Sequence, residues 1–129
     1  MRVDDDSETG LLHNYLGDKS WFEEISGMAL LASVVYRIVM LTPAGFGKQD
    51  IEWAGKKRKA VIQHVHGTTG IASPVVQPLD HLLREPLVSG SPEGQSFVSL
   101  MYAAWRDCVL EGVRKEYSIL AHHVVSVFC

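Results

Sequence analysis

The residues of this chain that are best suited to chemistry lie in a glycine- and serine-rich loop that leads directly into an apolar helix. Within this segment, residues 87–97, Ser91 occupies an N-cap position and Pro92 the first helical position, where its missing N–H costs nothing. Glu93 follows in the first turn, where the helix dipole favours a carboxylate. Such a loop leaves backbone N–H groups and small hydroxyls open, so it suits a polar ligand such as a sugar or a carboxylate. The same residues also fit a plain helix cap.

Histidine and cysteine, the other residue types suited to metal binding or nucleophilic catalysis, are not arranged for either. His64 and His66 are two apart on a predicted helix, so they point to different faces. Cys108 and Cys129 have no neighbour at metal-ligand spacing. Cys108 also falls on an apolar helix face, which favours a place in the core over a nucleophile. We therefore expect no metal, no cofactor and no disulfide framework.

Composition and charge narrow the class of protein. The 129 residues are 47% hydrophobic and 21% charged, which is typical of one globular domain. The formal net charge is -3 and the basic residues group only at 56–59, which we interpret as a solvated helix face. The longest apolar stretch, residues 28–41, is too short to span a bilayer, and the acidic start, residues 1–6, is unlike a secretory signal. We expect no nucleic-acid or membrane partner; localisation stays open between the cytoplasm and, for a longer precursor, secretion.

Hydrophobic periodicity predicts three helices. Residues 24–41 are apolar nearly all round, as in an interior helix, and end at Thr42-Pro43. Residues 48–66 form an amphipathic helix that faces water, with Gly67 as its C-terminal cap. Residues 92–110 again read as an interior helix. The stripe expected to be buried on the first helix consists of Ile25, Met28, Ala29, Ala32, Val35, Tyr36 and Val39.

The order of these helices predicts the fold class. An interior helix, an exterior helix, a long loop and a second interior helix follow each other, as in an all-α protein of the α/α toroid type. Each hairpin of a toroid buries its inner helix only against neighbours on both sides, and three helices cannot close a ring. The prediction is therefore an incomplete α/α toroid with inner, outer and inner helices. It is either a fragment of a larger barrel or a chain that pairs with another copy through its exposed apolar helix faces.

Two motifs resemble a known family. Residues 14–16, followed by Trp-Phe-Glu-Glu-Ile-Ser-Gly-Met-Ala at 21–29, are similar to a "(Y/F)-x-E-x-S-(G/S)-x-A" helix start. That helix start belongs to the unsaturated glucuronyl and rhamnogalacturonyl hydrolases, glycoside hydrolase families 88 and 105. Residues 89–97 and the helix after them resemble the last inner helix of these six-hairpin glycosidases, with its preceding loop. The resemblance covers about residues 11–110 and is strongest to fungal members of family 105.

This resemblance divides the chain into two parts. Residues 1–111 resemble the C-terminal part of the six-hairpin glycosidase domain. Residues 112–129 depart from the family pattern and form an atypical tail. The tail alternates poorly between apolar and polar residues, so a short helix and a strand both remain open for it.

The resemblance implies a specific chemistry. Members of the family remove a terminal 4,5-unsaturated uronic acid from pectin-derived or similar oligosaccharides by hydrating its C4–C5 double bond. An aspartic acid serves as general acid and base, protonating the alkene and activating a water. The family's catalytic aspartates lie upstream of the matched region, and Asp18, Asp50, Asp80 and Asp107 stand outside such motifs. The resemblance thus implies no catalytic residue here and a chain that is inactive alone.

The resemblance implies that this chain contributes part of the wall that binds the substrate. Inner helices of the barrel begin near the substrate mouth, so the residues at two helix starts are candidates for contacting an unsaturated uronyl oligosaccharide. They are Trp21, Glu24 and Ser26 at the first start, and Ser89, Ser91 and Gln95 at the second. Each also has a purely structural interpretation: Ser91 as a cap, Trp21 as core, Glu24 as a partner of the helix dipole and Ser26-Gly27 as close packing.

Two other functional classes remain open from the sequence. The apolar faces of the first and third helices fit a non-catalytic helical module that binds another protein. A carbohydrate-binding remnant without catalysis is the third possibility.

Overall fold

The computed structural model describes residues 8–80 and 82–127, with side chains for 8–80 and 82–112. Three helices account for most of it: α1 (Ser26–Leu41), α2 (Lys48–Gln63) and α3 (Pro92–Val127). Two strands, β1 (Leu12–His13) and β2 (Glu23–Glu24), form a small antiparallel ribbon before α1. The predicted all-α class is confirmed. Cys129 and the acidic start lie outside the described residues.

Helix α1 begins two residues later than predicted and ends where predicted. Glu24 belongs to β2, where it pairs with Leu12 of β1, and the helix starts only at Ser26. At the other end Thr42 is the C-cap, and its N–H donates to the Ile38 carbonyl. Most of the predicted apolar stripe is buried, although Val35 is only partly so. Because these residues are buried, α1 lies at the centre of the core.

Helix α2 differs from the prediction at its end and on its basic face. It ends at Gln63 with His64 as C-cap, so Gly67 is not the cap. The interpretation of the basic run as a solvated face is wrong for Lys57, which is only 1% exposed. Its ammonium donates a hydrogen bond of 2.8 Å to the Gly10 carbonyl, so the long aliphatic stem can lie within the core.

Helix α3 begins at Pro92, as predicted, but does not stop near residue 110. Its backbone continues to Val127, so the tail is helical rather than extended. One glycine, Gly112, costs a helix only about 1 kcal/mol, and no proline follows to end it. Between α2 and α3 the long segment contains two isolated bridges, Val65 with Ala72 and Val75 with Leu87.

The three helices pack in the predicted order. α1 packs against both α2 and α3, whereas α2 and α3 make few contacts with each other. The two inner helices therefore lie side by side, and α2 covers α1 from outside. The core that joins them includes Met28 and Tyr36 of α1, Ala54 and Val61 of α2, and Val98, Met101 and Ala104 of α3.

One face of the inner helices is apolar and exposed. On α1 the side chains of Leu30, Val34 and Leu41 are exposed and recur at helical spacing with Arg37. On α3 Leu100 and Leu110 are exposed as well. Arg37 donates a hydrogen bond of 2.7 Å to Asp107, which joins the two helices across this face. We call these exposed side chains the apolar face.

Within the described residues, none of the helices has the length and hydropathy needed to cross a bilayer.

Candidate functional site

The Glu24 carboxylate caps the N-terminus of α1. Glu24 comes from β2, is 4% exposed, and accepts hydrogen bonds from the N–H groups of Ser26 (2.6 Å) and Gly27 (2.8 Å) and from the Ser26 hydroxyl. These are N–H groups that a helix start leaves without an intrahelical partner. Burial raises the pKa of Glu24, and the hydrogen bonds from Ser26 and Gly27 oppose that rise. Glu24, which the sequence predicts as a substrate contact, therefore caps the N-terminus of α1.

Ser26 links the same helix start to the segment that follows α2. Its buried hydroxyl lies between the Glu24 carboxylate and the Val76 N–H, which donates to it at 3.5 Å. Beside it, the Ile25 N–H donates to the Pro74 carbonyl at 3.0 Å. The α1 start is therefore attached to residues 74–76.

Trp21 lies in an aromatic cluster at the surface, before β2. Its ring centroid is 4.5 Å from that of Tyr15 and 6.1 Å from that of Phe22. The guanidinium carbon of Arg84 stands 4.3 Å from the Trp21 ring. Nothing in the sequence signals this contact, because it joins two loops far apart in the chain. Trp21 is half-buried and is not a member of the main core.

The start of α3 carries the other three predicted residues. Ser91 is the N-cap, as predicted, and its hydroxyl accepts a hydrogen bond of 3.0 Å from the Gly94 N–H. Gln95 bridges to the long segment: its amide oxygen accepts from the Ala72 N–H at 3.2 Å and its amide nitrogen donates to the Gly70 carbonyl at 3.0 Å. Ser89 is exposed.

A cleft of about 410 Å³ opens at this helix start. Its walls combine hydroxyl and amide groups with the small residues of two loops. They are Thr69, Gly70, Ile71, Ser89, Gly90, Ser91, Pro92 and Gln95. A smaller cavity of about 210 Å³ lies beside Glu24, where His13 and Asn14 are among the lining residues. The six predicted residues are thus divided between two places.

Residues 72–76 nevertheless connect the two places. The α1 start is hydrogen-bonded to Pro74 and Val76, as described above. At the α3 start, the side chain of Gln95 is hydrogen-bonded to the Ala72 N–H. Gly94 also lies close to Val75, since a Cβ at Gly94 would be 2.7 Å from the Val75 Cγ1 atom. The two inner helices therefore begin at the same end of the molecule, on either side of one segment.

Two of the described carboxyl groups, those of Asp18 and Asp107, have lowered pKa values. Hydrogen bonds from Ser20 lower the pKa of Asp18, and those from Arg106 and Arg37 lower the pKa of Asp107. Carboxyl groups with lowered pKa values are ionised at neutral pH and are poor general acids. Among the described residues, no group of three or more His, Cys, Asp or Glu side chains is placed to hold a metal ion.

These features define an all-α chain of the α/α toroid type, with two inner helix starts at one end. No family model matches the sequence, and no curated protein matches it. The fold is similar to that of a crystal structure from Salmonella enterica subsp. enterica serovar Paratyphi A, described as a possible member of the GH105 family. The TM-score is 0.61 at 20% sequence identity, over 77% of this chain and 27% of that chain. The chain therefore has a GH105-like fold and spans about a quarter of the length of the protein that it matches.

Proposed function

We propose that this chain is the C-terminal part of a glycosidase that removes 4,5-unsaturated uronic acid from pectin-derived oligosaccharides, and that it supplies part of the substrate wall. The observation that carries the proposal is the placement of the α1 and α3 starts on either side of residues 72–76. The cleft at the α3 start is the part of this wall that is open to a ligand. The GH105-like fold and the two sequence motifs support the same assignment.

The chemistry of the cleft suits a uronic acid. Hydroxyl groups of Ser89 and Ser91 and the side chain of Gln95 can hydrogen-bond to sugar hydroxyls. The positive end of the α3 dipole favours a carboxylate at this place. In this proposal water adds to the double bond, and an aspartic acid from hairpins outside this chain protonates the alkene and accepts a proton from the water. The hydrated sugar then rearranges and is released.

The apolar face has a role in the same proposal. Further hairpins of a ring would pack on Leu30, Val34 and Leu41 of α1 and on Leu100 and Leu110 of α3. Without them these apolar side chains stay exposed, and exposed apolar patches on soluble proteins mark interaction sites or aggregation risks.

The experiment compares the chain with a longer protein. The reading frame is extended upstream from the genomic sequence and transcript, and both proteins are expressed and assayed on an unsaturated digalacturonate. Activity is followed by the loss of ultraviolet absorbance of the C4–C5 double bond. We expect the extended protein to be active and the present chain to be inactive. A transcript that encodes no further hairpins, or an extended protein that leaves the double bond intact, would contradict the proposal.

The apolar face also favours a second candidate, a non-catalytic module that binds another helical protein. Light scattering on the purified chain separates the two functions. A stable oligomer of defined mass supports the module, because its apolar face would be buried between copies. A folded monomer of low stability supports the part-of-a-barrel proposal, since a protein without some of its packing partners is left with little net stability.

A further inference from the structure

Arg84 is a charged side chain, held on an aromatic ring, that the proposed function does not use. It lies in the long segment between α2 and α3, is exposed, and has its guanidinium carbon 4.3 Å from the Trp21 ring. Among the described residues, no side chain or carbonyl accepts a hydrogen bond from its guanidinium. The group is therefore held in place by an aromatic face while its N–H donors point to no protein acceptor in the described part of the chain.

The surroundings keep this arrangement fixed. Trp21 has the Tyr15 ring 4.5 Å away, and its carbonyl oxygen lies 2.7 Å from Nδ1 of His13. Tyr15 remains 43% exposed. Stacking on an aromatic face leaves the edge of a guanidinium available, and that edge carries the paired N–H donors that match a carboxylate.

Asp18 is the acidic neighbour that could compete for Arg84. Its carboxylate is already bound by the N–H (3.0 Å) and the hydroxyl (2.6 Å) of Ser20. The charge of Arg84 contributes to the lowered pKa of Asp18 only weakly, after these hydrogen bonds. Asp18 and Arg84 thus attract each other at a distance without forming a hydrogen-bonded ion pair.

We propose that Arg84, which is not among the residues that line the α3 cleft, binds the carboxylate of a further uronic acid unit of the oligosaccharide, with the exposed ring of Tyr15 as a stacking surface for that sugar. Arg84 makes the contact and selects acidic over neutral sugars, and Trp21 is a positioning residue that orients the guanidinium. The choice of a sugar rather than another carboxylate rests on the proposed function. The proposal also changes the role of Trp21, from a direct substrate contact to a support for one.

The test is a nuclear magnetic resonance titration of the full chain at constant ionic strength. The ligands are galacturonate, its neutral counterpart galactose, and acetate as a carboxylate without a ring. We expect galacturonate to shift the Arg84 side-chain N–H and the Trp21 indole N–H signals, galactose to leave them unchanged, and acetate to bind more weakly than galacturonate. Equal affinity for galactose or for acetate would overturn the proposal.

Substitutions of Arg84, with Arg106 as a control, test whether this guanidinium binds the ligand. Arg84→Gln should weaken galacturonate binding by about three- to fivefold, the upper range for an exposed ion pair, and Arg84→Lys should lose less because it keeps the charge. Arg106→Gln is the matched control, since Arg106 is an exposed arginine already bound to Asp107. Equal weakening by Arg84→Gln and Arg106→Gln would overturn the proposal, because it would reflect net charge alone.

Failure of this test and failure of the proposed function are distinguishable. The titration measures binding to the chain as it is, whereas the proposed function is tested by the activity of the extended protein. An active extended protein with no galacturonate shift at Arg84 would remove only the Arg84 assignment. A galacturonate shift lost in Arg84→Gln, together with an inactive extended protein, would keep this site and remove the hydrolase.

Discussion

The two inner helices begin in opposite ways. At α1 a buried carboxylate from the preceding strand fills the helix start, and Glu24 accepts hydrogen bonds from Ser26 and Gly27. At α3 the cap is the small hydroxyl of Ser91, and a cleft of about 410 Å³ opens beside it. Both devices satisfy N–H groups that would otherwise lack partners, but the cavity beside Glu24, about 210 Å³, is smaller than the cleft beside Ser91.

This difference decides where a substrate anion could bind. The positive end of α1 already faces a protein carboxylate, so a uronate there would meet like charge whenever Glu24 is ionised. The first turn of α3 also carries an acid, Glu93, but Glu93 is not among the residues that line the α3 cleft. Within the proposed function, the ligand-facing part of the wall would be Ser89, Ser91 and Gln95, and Glu24 and Ser26 would have a structural role.

Removal of the α1 cap should have the largest effect. Glu24→Ala leaves buried donors of Ser26 and Gly27 without an acceptor, so we expect the free energy of unfolding to fall by about 2–4 kcal/mol. Urea denaturation followed by circular dichroism measures this change. Glu24→Gln keeps one acceptor oxygen and should cost less. A loss below about 0.5 kcal/mol, typical of surface substitutions, would show that the α1 start does not depend on its cap.

Close packing at the α3 start should give the next largest effect. A methyl group in Gly94→Ala would lie 2.7 Å from the Val75 Cγ1 atom, so the Val75 side chain or the segment that carries it must shift. We expect a loss of about 1–3 kcal/mol in the free energy of unfolding. Gly112 is a matched control on the same helix, because nothing lies within 4 Å of a Cβ built there. Gly112→Ala should be neutral or stabilising by up to about 1 kcal/mol, and equal effects of the two variants would contradict the close approach.

The cap of α3 should matter less than that of α1. Ser91→Ala should lower the free energy of unfolding by about 1 kcal/mol, because one helix N–H loses its acceptor. Ser91→Asp keeps a capping oxygen and adds negative charge to the cleft. In the extended protein we expect Ser91→Asp to retain its melting temperature while its KM for the uronide rises. A variant with unchanged KM would move the substrate away from Ser91.

The two helix starts also differ in how well they can be predicted from the sequence. Ser91 and Pro92 mark the α3 start through neighbouring residues, and the structure confirms it. The Glu24 cap depends instead on the pairing of two very short strands, whose signal is too weak to read from the sequence. Long-range contacts were missed for the same reason: Lys57 reaches a carbonyl near residue 10, and Arg84 reaches Trp21.

The smallest effect should be the pH dependence that Glu24 introduces. Burial raises its pKa above the ordinary value of 4.5, and hydrogen bonds from Ser26 and Gly27 offset part of the rise. An acid with a higher pKa in the folded than in the unfolded state binds protons more tightly when folded, so its contribution is complete below the unfolded pKa. That contribution is then lost as the pH rises through the folded pKa.

Relative to Glu24→Gln, the wild-type chain should therefore lose stability as the pH is raised from below 4.5. The comparison with this variant is needed because Asp18 and Asp107 have lowered pKa values and change stability in the opposite direction. Denaturation at several pH values gives both curves. If the wild type instead gained stability with pH, the hydrogen bonds from the α1 N–H groups would lower the pKa of Glu24 more than burial raises it. The α1 start would then favour an anion. Both helix starts would then favour an anion, and the larger cleft beside α3 would distinguish them.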